Sequence, residues 1–594
     1  MQIKNIILTS SKQLILLLLL AVGLNINTVF NQYAVDDAVV LTENRLVEQG
    51  IKGIPEIIAH DIYYGTKQTI DKGLSGGRYR PFAMVVFALE YQFFGANPVV
   101  SHLINILLFA FLIGLLYHFL HKYIFKNQNT LAAFITCLLF VVHPIHTEVI
   151  ANVKSRDELI AFILLITSVL SYLRYIEKKQ VLFLLASLLS FFIALLTRES
   201  AITFLVVIPL LLYYFFNQTL KQSMFRALPF TIVLAGYLAL RFSIIGFKTP
   251  TVNYIMDAPF LFATGAQAFA TKIFILTKYI WLLIFPHPLS SDYSYNQIPY
   301  INLFSFQFIL SALSLFVLVG FAFINFKRKS LSSFCILYFF VTISIVANFV
   351  VEIGAPMGER FLFQPSLAFC MIVATGYVQI VPRFRMLTNI VFITIILLFS
   401  IKTIARNRDW KNNETLYLAD VVSAPNSVRT NQYALEICIL KANAETNAEL
   451  KNQYFNKAID YGTKAHELYP DNPITSMELG SAYFGLTDYF KASDLWIQAY
   501  QLIPDDPQAK YYVELLSTIL YKKGNAFHEH HNFKDAIKCY KRATELNFNN
   551  TEAWYNLGGN YFLINDSKNA MQAWQNVLKL QPYHKFDKDE FTKE

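Results

Sequence analysis

The sequence carries little charge. Asp, Glu, Lys and Arg make up 15% of its 594 residues, whereas a typical soluble domain contains about 25%. Hydrophobic residues account for 55%, and the mean hydropathy is +0.40. A soluble core cannot bury so much apolar surface. The composition therefore excludes an ordinary soluble protein and predicts a bilayer as the surrounding medium.

Cysteine is scarce as well. Cys137, Cys335 and Cys370 lie within apolar runs, and Cys438 and Cys539 lie in the more polar C-terminal part. The number is odd, and no two of them have the Cys-x-x-Cys spacing. This excludes a disulfide framework and the usual kind of zinc site, so the cysteines predict no cofactor.

The net charge of +9 could indicate a nucleic-acid partner in a soluble protein. Here much of the excess lies in short loops between apolar runs, where Lys and Arg set the orientation of membrane helices. We therefore expect no nucleic-acid binding.

Long apolar runs are what the sequence has in abundance. A helix needs roughly 17 to 25 apolar residues to cross a bilayer. Twelve runs approach this length, and we expect the first to be a retained helix because it lacks a small-x-small cleavage site. The runs cover residues 14–30, 101–122, 131–150, 159–175, 181–196, 201–216, 227–245, 260–285, 303–326, 334–351, 361–380 and 387–404.

The basic loops predict an orientation. Lys and Arg fall in alternate short loops, which we assign to the cytoplasm together with the N-terminus. The alternation holds only if one run does not cross the membrane. These basic residues are Lys122, Lys126, Lys178, Lys179, Lys221, Arg226, Lys327, Arg328, Lys329, Arg383 and Arg385.

The run at 260–285 is the one we exclude from the spans. It contains Gln267, Lys272 and Lys278, and a lysine at mid-bilayer costs about 2.5 to 3.5 kcal/mol. An interfacial or re-entrant pair of helices fits this run better. About eleven crossings remain, which place the C-terminus outside. The polar loops 31–100, 143–158, 197–200, 286–299 and 352–365 should then share one non-cytoplasmic face.

The first of these loops contains the adjacent carboxylates Asp36 and Asp37. One of them can act as a general base on an acceptor hydroxyl. The pair can instead hold a divalent cation, or cap a helix. The pair alone does not decide between these roles.

The other polar loops carry grouped charges at the ends of apolar runs. Such charges are costly at the membrane boundary unless they pair with one another or with a ligand. A single Arg–carboxylate pair is typical of a structural ion pair, but several pairs on one face indicate a site for a phosphate-bearing headgroup. The residues are Arg80, His143, His146, Glu148, Arg156, Arg198, Glu199, Asp292, Glu359 and Arg360.

The C-terminal part is polar and repeats with a period of about 34 residues, the length of a tetratricopeptide repeat (TPR). We predict a membrane domain at 1–406, a junction at 407–438, TPRs over 439–584 and a tail at 585–594. The repeats are 439–472, 473–506, 517–550 and 551–584, and the extra stretch 507–516 should lengthen a helix or a loop. The predicted fold class is all-α: a polytopic membrane domain followed by an α-solenoid with a groove for an extended peptide.

Several motifs match one known family in order and over nearly the whole chain. They are Asp36-Asp37 after the first helix, YRPF at 79–82, HPIHTE at 143–148, PLSSDYS at 288–294, ERFLFQPS at 359–366 and NRDW at 407–410. With the C-terminal TPRs, this pattern resembles the TMTC family of transmembrane and tetratricopeptide-repeat O-mannosyltransferases.

The resemblance implies a glycosyltransferase of the GT-C superfamily that uses a polyprenyl-phosphate sugar at the lumenal or periplasmic face. It implies that Asp36 or Asp37 is the catalytic base, with Glu148 the next candidate, and that no metal is firmly required. Arg80, Arg156, Arg198 and Arg360 would bind the donor phosphate. His143, His146, Glu199, Asp292 and Glu359 would complete the site.

The chain is shorter than animal TMTC proteins, which suggests a bacterial inner-membrane protein with periplasmic TPRs, or an endoplasmic-reticulum protein with lumenal TPRs in a eukaryote. The predicted reaction transfers mannose or another hexose to Ser or Thr of exported proteins held in the TPR groove. A transferase that modifies lipids or glycans, and a non-catalytic TPR scaffold in the membrane, are the alternatives.

Overall fold

The computed structural model describes residues 9–66, 77–126, 129–246 and 254–584. Within these ranges the chain forms α-helices, a few single 3₁₀ or π turns and no strand, which confirms the all-α prediction. The chain divides into two compact units, Met1–Ala424 and Pro425–Glu594. The division falls inside the predicted junction. The predicted tail at 585–594 lies outside the described residues.

The first unit contains eighteen of the described α-helices. They are α1 (Ser10–Gly23), α2 (Asp37–Val40), α3 (Arg45–Glu48), α4 (Ile54–Ala59), α5 (Pro81–Phe94), α6 (Pro98–Phe119), α7 (Thr130–Val142), α8 (Thr147–Ala151), α9 (Arg156–Lys178), α10 (Val181–Thr197), α11 (Phe204–Phe215), α12 (Leu220–Ile245), α13 (Gly265–Ile284), α14 (Phe306–Ile324), α15 (Leu331–Ile343), α16 (Ser366–Ile380), α17 (Arg385–Asp409) and α18 (Asn413–Ser423).

Among the described residues, seven helices are long and apolar enough to cross a membrane, or eight if the bent pair Thr130–Val142 and Pro144–Ala151 is one span. This confirms a multi-pass membrane protein. Shorter apolar helices accompany them, so the count of eleven crossings stays a prediction. The shorter helices are Pro81–Phe94, Val181–Thr197, Glu199–Phe215, Leu331–Val346 and Ser366–Ile380.

The segment 260–285 differs from its prediction. It contains one continuous 20-residue helix, α13, which meets the length and hydropathy criteria for a span, so the predicted helix pair is wrong. Its lysines have partners that offset the cost of their charge. Lys272 Nζ lies 3.6 Å from a carboxylate oxygen of Glu352 and over the Phe260 ring. Lys278 lies over the ring of Phe274.

An amide cluster joins the first and last long helices of this unit. The side chain of Asn407, near the end of α17, donates to the carbonyl of Leu24 and to the Asn27 side chain, both at 3.0 Å. Asn31 donates in return to the backbone carbonyl of Asn407 at 3.0 Å. Because Asn31 and Asn407 are buried, these bonds compensate the desolvation of their amides.

The second unit is a series of paired helices. Two helices joined by a short segment form each pair, and such pairs follow one another to the C-terminal end of the described chain. The helices are α19 (Val428–Ala444), α20 (Ala448–Leu468), α21 (Pro473–Gly485), α22 (Tyr489–Leu502), α23 (Pro507–Glu529), α24 (Phe533–Leu546), α25 (Thr551–Leu563) and α26 (Ser567–Leu580). The stretch 507–516 lies within α23, so it lengthens a helix as expected.

Glycines allow the paired helices to approach closely. A Cβ atom on Gly480 would lie 2.4 Å from the Trp496 ring, and one on Gly558 would lie 2.3 Å from the Trp574 ring. Gly524 faces Tyr540 in the same way. A side chain at any of these positions would therefore force the two helices of a pair apart.

Candidate active site

Hydrogen bonds and ion pairs connect all five predicted polar loops of the first unit. Asp37 accepts from the Lys154 amide, and the Arg80 guanidinium pairs with Glu199. Three further contacts complete the connection: Arg80 with Asp157, Arg360 with Glu148, and the Ser290 amide with Glu359. The candidate site residues therefore come from segments far apart in sequence.

The two adjacent carboxylates have different environments. The side chain of Asp36 is 50% exposed, and its Oδ2 lies 2.9 Å from Lys154 Nζ. Asp37 is completely buried. Its Oδ1 accepts the Lys154 N–H at 2.7 Å and its Oδ2 accepts the Ala34 N–H at 3.1 Å. Asp36 can thus meet a substrate, whereas Asp37 holds its loop against the segment that carries Lys154.

Electrostatics separate the two groups further. The Lys154 ammonium beside Asp36 holds the pKa of that carboxyl well below its usual range, and Arg360 and Arg78 add to the effect. Burial raises the pKa of Asp37 to about 7, although its two backbone donors act in the opposite direction. Asp36 is therefore ionised at neutral pH.

Arg360 and Glu148 lie beside this pair. The guanidinium of Arg360 binds one oxygen of Glu148, and the Arg360 backbone N–H donates to the other oxygen at 2.9 Å. Glu148 is buried and has both oxygens engaged, so it is not placed to accept a proton from a substrate. The Arg360 side chain remains 25% exposed. We call Asp36, Lys154, Arg360, Glu148 and Arg78 the open group.

A second set of charges is largely buried, although the side chain of Glu199 remains 28% exposed. Arg80 Nη1 and Arg198 Nη1 lie 2.8 and 2.9 Å from the same oxygen of Asp157. Arg80 also binds Glu199 and Arg198 also binds Glu158, both at 2.8 Å. Each of the two arginines therefore binds two carboxylates. The phosphate role of Arg80 and Arg198 stays a prediction.

Arg156 is also predicted to bind phosphate, and in the structure its guanidinium has partners within the protein. Its guanidinium is fully buried. Nη1 binds Glu90, Nε donates to Asn105 at 2.7 Å, and Nη2 donates to the carbonyl of Ser101 at 2.9 Å. No surface of Arg156 is left for a ligand, so it stabilises the contact between helices. We call Arg156, Glu90, Arg80, Arg198 and their carboxylate partners the closed group.

The two histidines of the HPIHTE motif also bind within the protein. The ring nitrogens of His143 contact the Leu283 carbonyl at 2.9 Å and the Ile145 N–H at 3.2 Å. Those of His146 contact the Phe140 carbonyl at 2.7 Å and the Ser366 hydroxyl at 2.8 Å. Both rings are buried. In this arrangement they position the loop that carries Glu148 and do not face a substrate.

Asp292 and Glu359 organise the loop 286–299. Asp292 accepts the Ser294 amide at 2.8 Å and also its hydroxyl. Glu359 is completely buried, and its Oε1 accepts from the Ser290 amide and from the Tyr293 hydroxyl. Burial raises the pKa of Glu359 to about 8. Glu359 therefore holds the loop while carrying a proton at neutral pH.

Lys154 is the functional candidate that the sequence does not single out. It stands two residues before Arg156, and a lone lysine in a polar loop is usually a solvated surface residue. Its amide contacts one aspartate and its ammonium contacts the other. In the part of the chain that the structure describes, no group of three or more His, Cys, Asp or Glu side chains is arranged to hold a metal ion.

Comparison with known proteins identifies relatives over most of the chain. Human "Protein O-mannosyl-transferase TMTC3" is 25% identical over 94% of this chain and 67% of its own length. Human "Protein O-mannosyl-transferase TMTC1" is 28% identical over 68% of this chain and 49% of its own length. This chain is similar to the TMTC proteins over most of its length. The similarity confirms the resemblance carried by the motifs.

Three further comparisons were found. A Caenorhabditis elegans relative, "Protein O-mannosyl-transferase F38B6.6", is 27% identical over 70% of this chain and 59% of its own length. The TPR repeat family model matches residues 524–564, within the second unit. The crystal structure of MamA covers 31% of this chain at 18% identity with a TM-score of 0.17, so we draw no conclusion from it.

The extent of the match limits what can be transferred from these relatives. The chain spans about two thirds of the length of human TMTC3 and about half that of human TMTC1. Homologues with this name support a membrane protein O-mannosyltransferase.

Proposed function

We propose that this chain is a membrane glycosyltransferase that moves a hexose, with mannose the first candidate, from a polyprenyl phosphate to Ser or Thr hydroxyls of proteins. The observation that carries the proposal is the exposed Asp36 carboxylate beside the exposed cation Arg360 and the ammonium of Lys154. The homologous TMTC proteins are named for protein O-mannosyl transfer. We further propose that transfer takes place on the non-cytoplasmic side, as the alternation of basic loops predicts.

The charges of the open group suit a phosphate-linked donor. Three cations, Lys154, Arg360 and Arg78, act electrostatically on Asp36. These cations can attract a phosphate, which arginine can bind through two parallel hydrogen bonds. We therefore assign the donor phosphate to Lys154 and Arg360. Of the four arginines predicted for this role, only Arg360 belongs to the open group.

The reaction then follows from these positions. The acceptor hydroxyl oxygen attacks the anomeric carbon, the bond from that carbon to the phosphate oxygen breaks, and Asp36 takes the hydroxyl proton. Negative charge grows on the departing phosphate, so contacts with Lys154 and Arg360 strengthen in the transition state. A single displacement of this kind inverts the anomeric configuration.

Donor binding should also change the pKa of the proposed base, Asp36. In the free protein, Lys154 holds the pKa of Asp36 low, which makes Asp36 a weak proton acceptor. A donor phosphate brings negative charge close to Lys154 and draws the ammonium from Asp36. The pKa of Asp36 then rises when the donor is bound, which is when a base is needed.

The experiment is a transfer assay in proteoliposomes with Asp36→Asn. Asparagine keeps the shape but cannot accept the proton, so we expect the rate to fall by about 10²- to 10⁴-fold, with normal accumulation and donor binding. The matched control is Glu56→Gln, which removes an exposed carboxylate from the same loop. Near-normal turnover by Asp36→Asn would show that another group is the base.

Asp37→Asn distinguishes positioning from catalysis. Both oxygens of Asp37 accept backbone N–H groups, and an asparagine would turn an NH₂ group toward one of those donors. We therefore expect Asp37→Asn to lower the amount of folded protein. A well-folded but inactive Asp37→Asn protein would instead support Asp37 as the base.

We also propose that the repeats of the second unit bind the acceptor protein. A TPR groove holds an extended peptide and raises its local concentration at a linked site to the millimolar order. Removing the second unit, residues 425–594, should raise the apparent KM for a protein acceptor and leave the rate with a saturating short Ser/Thr peptide similar. Equal loss with both acceptors would contradict acceptor capture.

A further inference from the structure

The turn that carries Asp36 has an unusual backbone. The Asp37 amide donates to the Ala34 carbonyl at 3.2 Å, which closes a four-residue turn with Val35 and Asp36 at its centre. Val35 has a φ of 54°, and Asp36 has a φ of −71°. A positive φ followed by a negative one is the pattern of a type II′ turn. Such turns usually have glycine at the first central position, where this chain has valine.

Valine is poorly suited to that position. A positive φ brings Cβ close to the following carbonyl oxygen, and a bulky β-branched side chain makes the conformation a genuine outlier. Among the described residues other than glycine, Val35 is the only apolar one with a positive φ. A conformation of this kind persists only where the surrounding structure enforces it. The turn at Asp36 should therefore depend on contacts from outside it.

A segment from the far end of the membrane unit supplies those contacts. The Val35 N–H donates to Oδ1 of Asn413 at 2.7 Å. Three residues earlier, the Gln32 N–H donates to the backbone carbonyl of Lys411 at 2.8 Å. Two hydrogen bonds thus hold the chain just before Asp36 against the residues where α17 gives way to α18. The bond from Val35 is made at the strained residue itself.

Asn413 and its neighbour Asn412 have different partners. Asn412 is the N-cap of α18, and its side chain accepts the Thr415 N–H at 2.9 Å. Asn413 is the first residue of the helix, and its side-chain oxygen accepts the Val35 N–H. Adjacent asparagines therefore separate two tasks, because one stabilises the helix end and the other holds the turn.

We propose that Asn413 is a positioning residue for the proposed base, because it holds Val35 in the conformation that places Asp36 beside Lys154. The proposal rests on the proposed function and adds a residue that acts through the backbone of the turn. Without the Asn413 oxygen, Val35 should relax to a negative φ. That change rotates the peptide unit before Asp36 and displaces its carboxylate.

Asn413→Ala in the full-length protein removes the accepting oxygen. In proteoliposomes we expect kcat to fall about 10- to 100-fold, the effect of displacing a catalytic group by about 1 Å. The apparent KM for the donor and the Tm should stay nearly the same, because Asn413 is exposed. Asn413→Asp keeps an accepting oxygen and should retain most of the rate.

The matched control for the helix end is Asn412→Ala. It weakens the cap of α18 and leaves the bond from Val35 to Asn413 in place, so kcat should stay near that of the wild-type protein. An equal fall in kcat for Asn412→Ala and Asn413→Ala would show that the stability of α18 is what matters. That result would overturn the proposal.

Val35→Gly tests the role of the strained backbone. Glycine adopts a positive φ without steric cost, so in a Val35→Gly protein the further change Asn413→Ala should lower kcat by less than about threefold. The same change in the wild-type background should lower it at least tenfold, as above. A loss of equal size in both backgrounds would contradict a role for Asn413 through Val35.

Hydrogen exchange followed by mass spectrometry measures the turn without requiring activity. The peptide that contains Val35 should exchange about 3- to 10-fold faster in Asn413→Ala, as expected for the loss of one hydrogen bond, and at the wild-type rate in Asn412→Ala. If the wild-type protein transfers no sugar but this exchange still depends on Asn413, the contact stands and the transferase function fails. If transfer occurs and neither exchange nor kcat responds to Asn413→Ala, the positioning role fails and the proposed function stands.

Discussion

The open and closed groups use the same residue types at the same end of the membrane unit, yet they differ in what they can meet. In the closed group, Arg156 is fully buried and all three of its guanidinium nitrogens contact the protein. In the open group, Asp36 is half-exposed and Arg360 one-quarter exposed. The comparison shows that charged residues of the same types at a membrane boundary can be enclosed by protein partners, as Arg156 is, or remain accessible to a ligand, as Asp36 does.

The largest expected effect comes from breaking the closed group. Arg156→Met removes the arginine that pairs with Glu90 and leaves a buried carboxylate without that compensating charge. We expect a loss of about 3 to 5 kcal/mol in the free energy of unfolding, seen as poor accumulation and a lower Tm in detergent. If Arg156→Met folds normally but binds donor weakly, Arg156 belongs with the ligand site after all.

Breaking the open group should leave the fold intact. Lys154→Met removes the ammonium, but Asp36 is exposed enough for water to solvate it. Loss of a charge-assisted hydrogen bond to the donor phosphate should weaken donor binding by about 10- to 100-fold. Titration with a fluorescent polyprenyl phosphate would measure this. If Lys154→Met instead lowers the Tm and leaves donor affinity unchanged, Lys154 has a structural role like that of the closed group.

Glu359 offers a smaller test based on pH. Its pKa lies near 8 instead of the ordinary 4.5, so between these values the folded protein keeps a proton that the unfolded chain has lost. The free energy of unfolding should then fall as pH rises from about 5 to 8, by at most about 1.4 kcal/mol per pH unit. Glu359→Gln cannot ionise, so its Tm should fall less steeply with pH. Parallel curves for the two proteins would contradict a neutral Glu359.

The smallest effect is expected at an exposed pair. Lys122 and Glu177 are 3.3 Å apart and both about two-fifths exposed. Lys122→Met should change the free energy of unfolding by about 0 to 1 kcal/mol, and donor binding should not change. A large change in Tm would mean that exposure is a poor guide to the strength of these pairs, and the division into two groups would lose its basis.

The sequence predicts the helices well because the bilayer constrains them strongly. An apolar run of sufficient length must form a helix to satisfy its backbone, and the TPR glycines follow a fixed period. α5 is not among the predicted spans because its 14 residues are too few to cross a bilayer and begin at the Pro81 of a polar motif. The segment 260–285 forms one helix instead of the predicted pair, and the partners of Lys272 and Lys278 are invisible in the sequence.

The site is predicted in outline only. The sequence places Asp36 and Asp37 side by side, but only tertiary structure shows that one is exposed and the other buried. In the sequence, His143 and His146 could equally be site residues. In the structure, a ring nitrogen of His143 contacts a backbone carbonyl and one of His146 contacts a serine hydroxyl. Lys154 becomes a candidate only when its contact with Asp36, more than a hundred residues away in sequence, is known.

The amide cluster at Asn407 has a consequence for how the membrane unit is made. Asn27 and Asn31 leave the ribosome early, whereas their partner near the end of α17 is among the last parts of this unit to be synthesised. Until then, the first helix lacks the contacts that tie it to α17. A nascent chain that stops before α17 would expose buried amides at the membrane surface, where the cell's quality control can distinguish it from the finished protein.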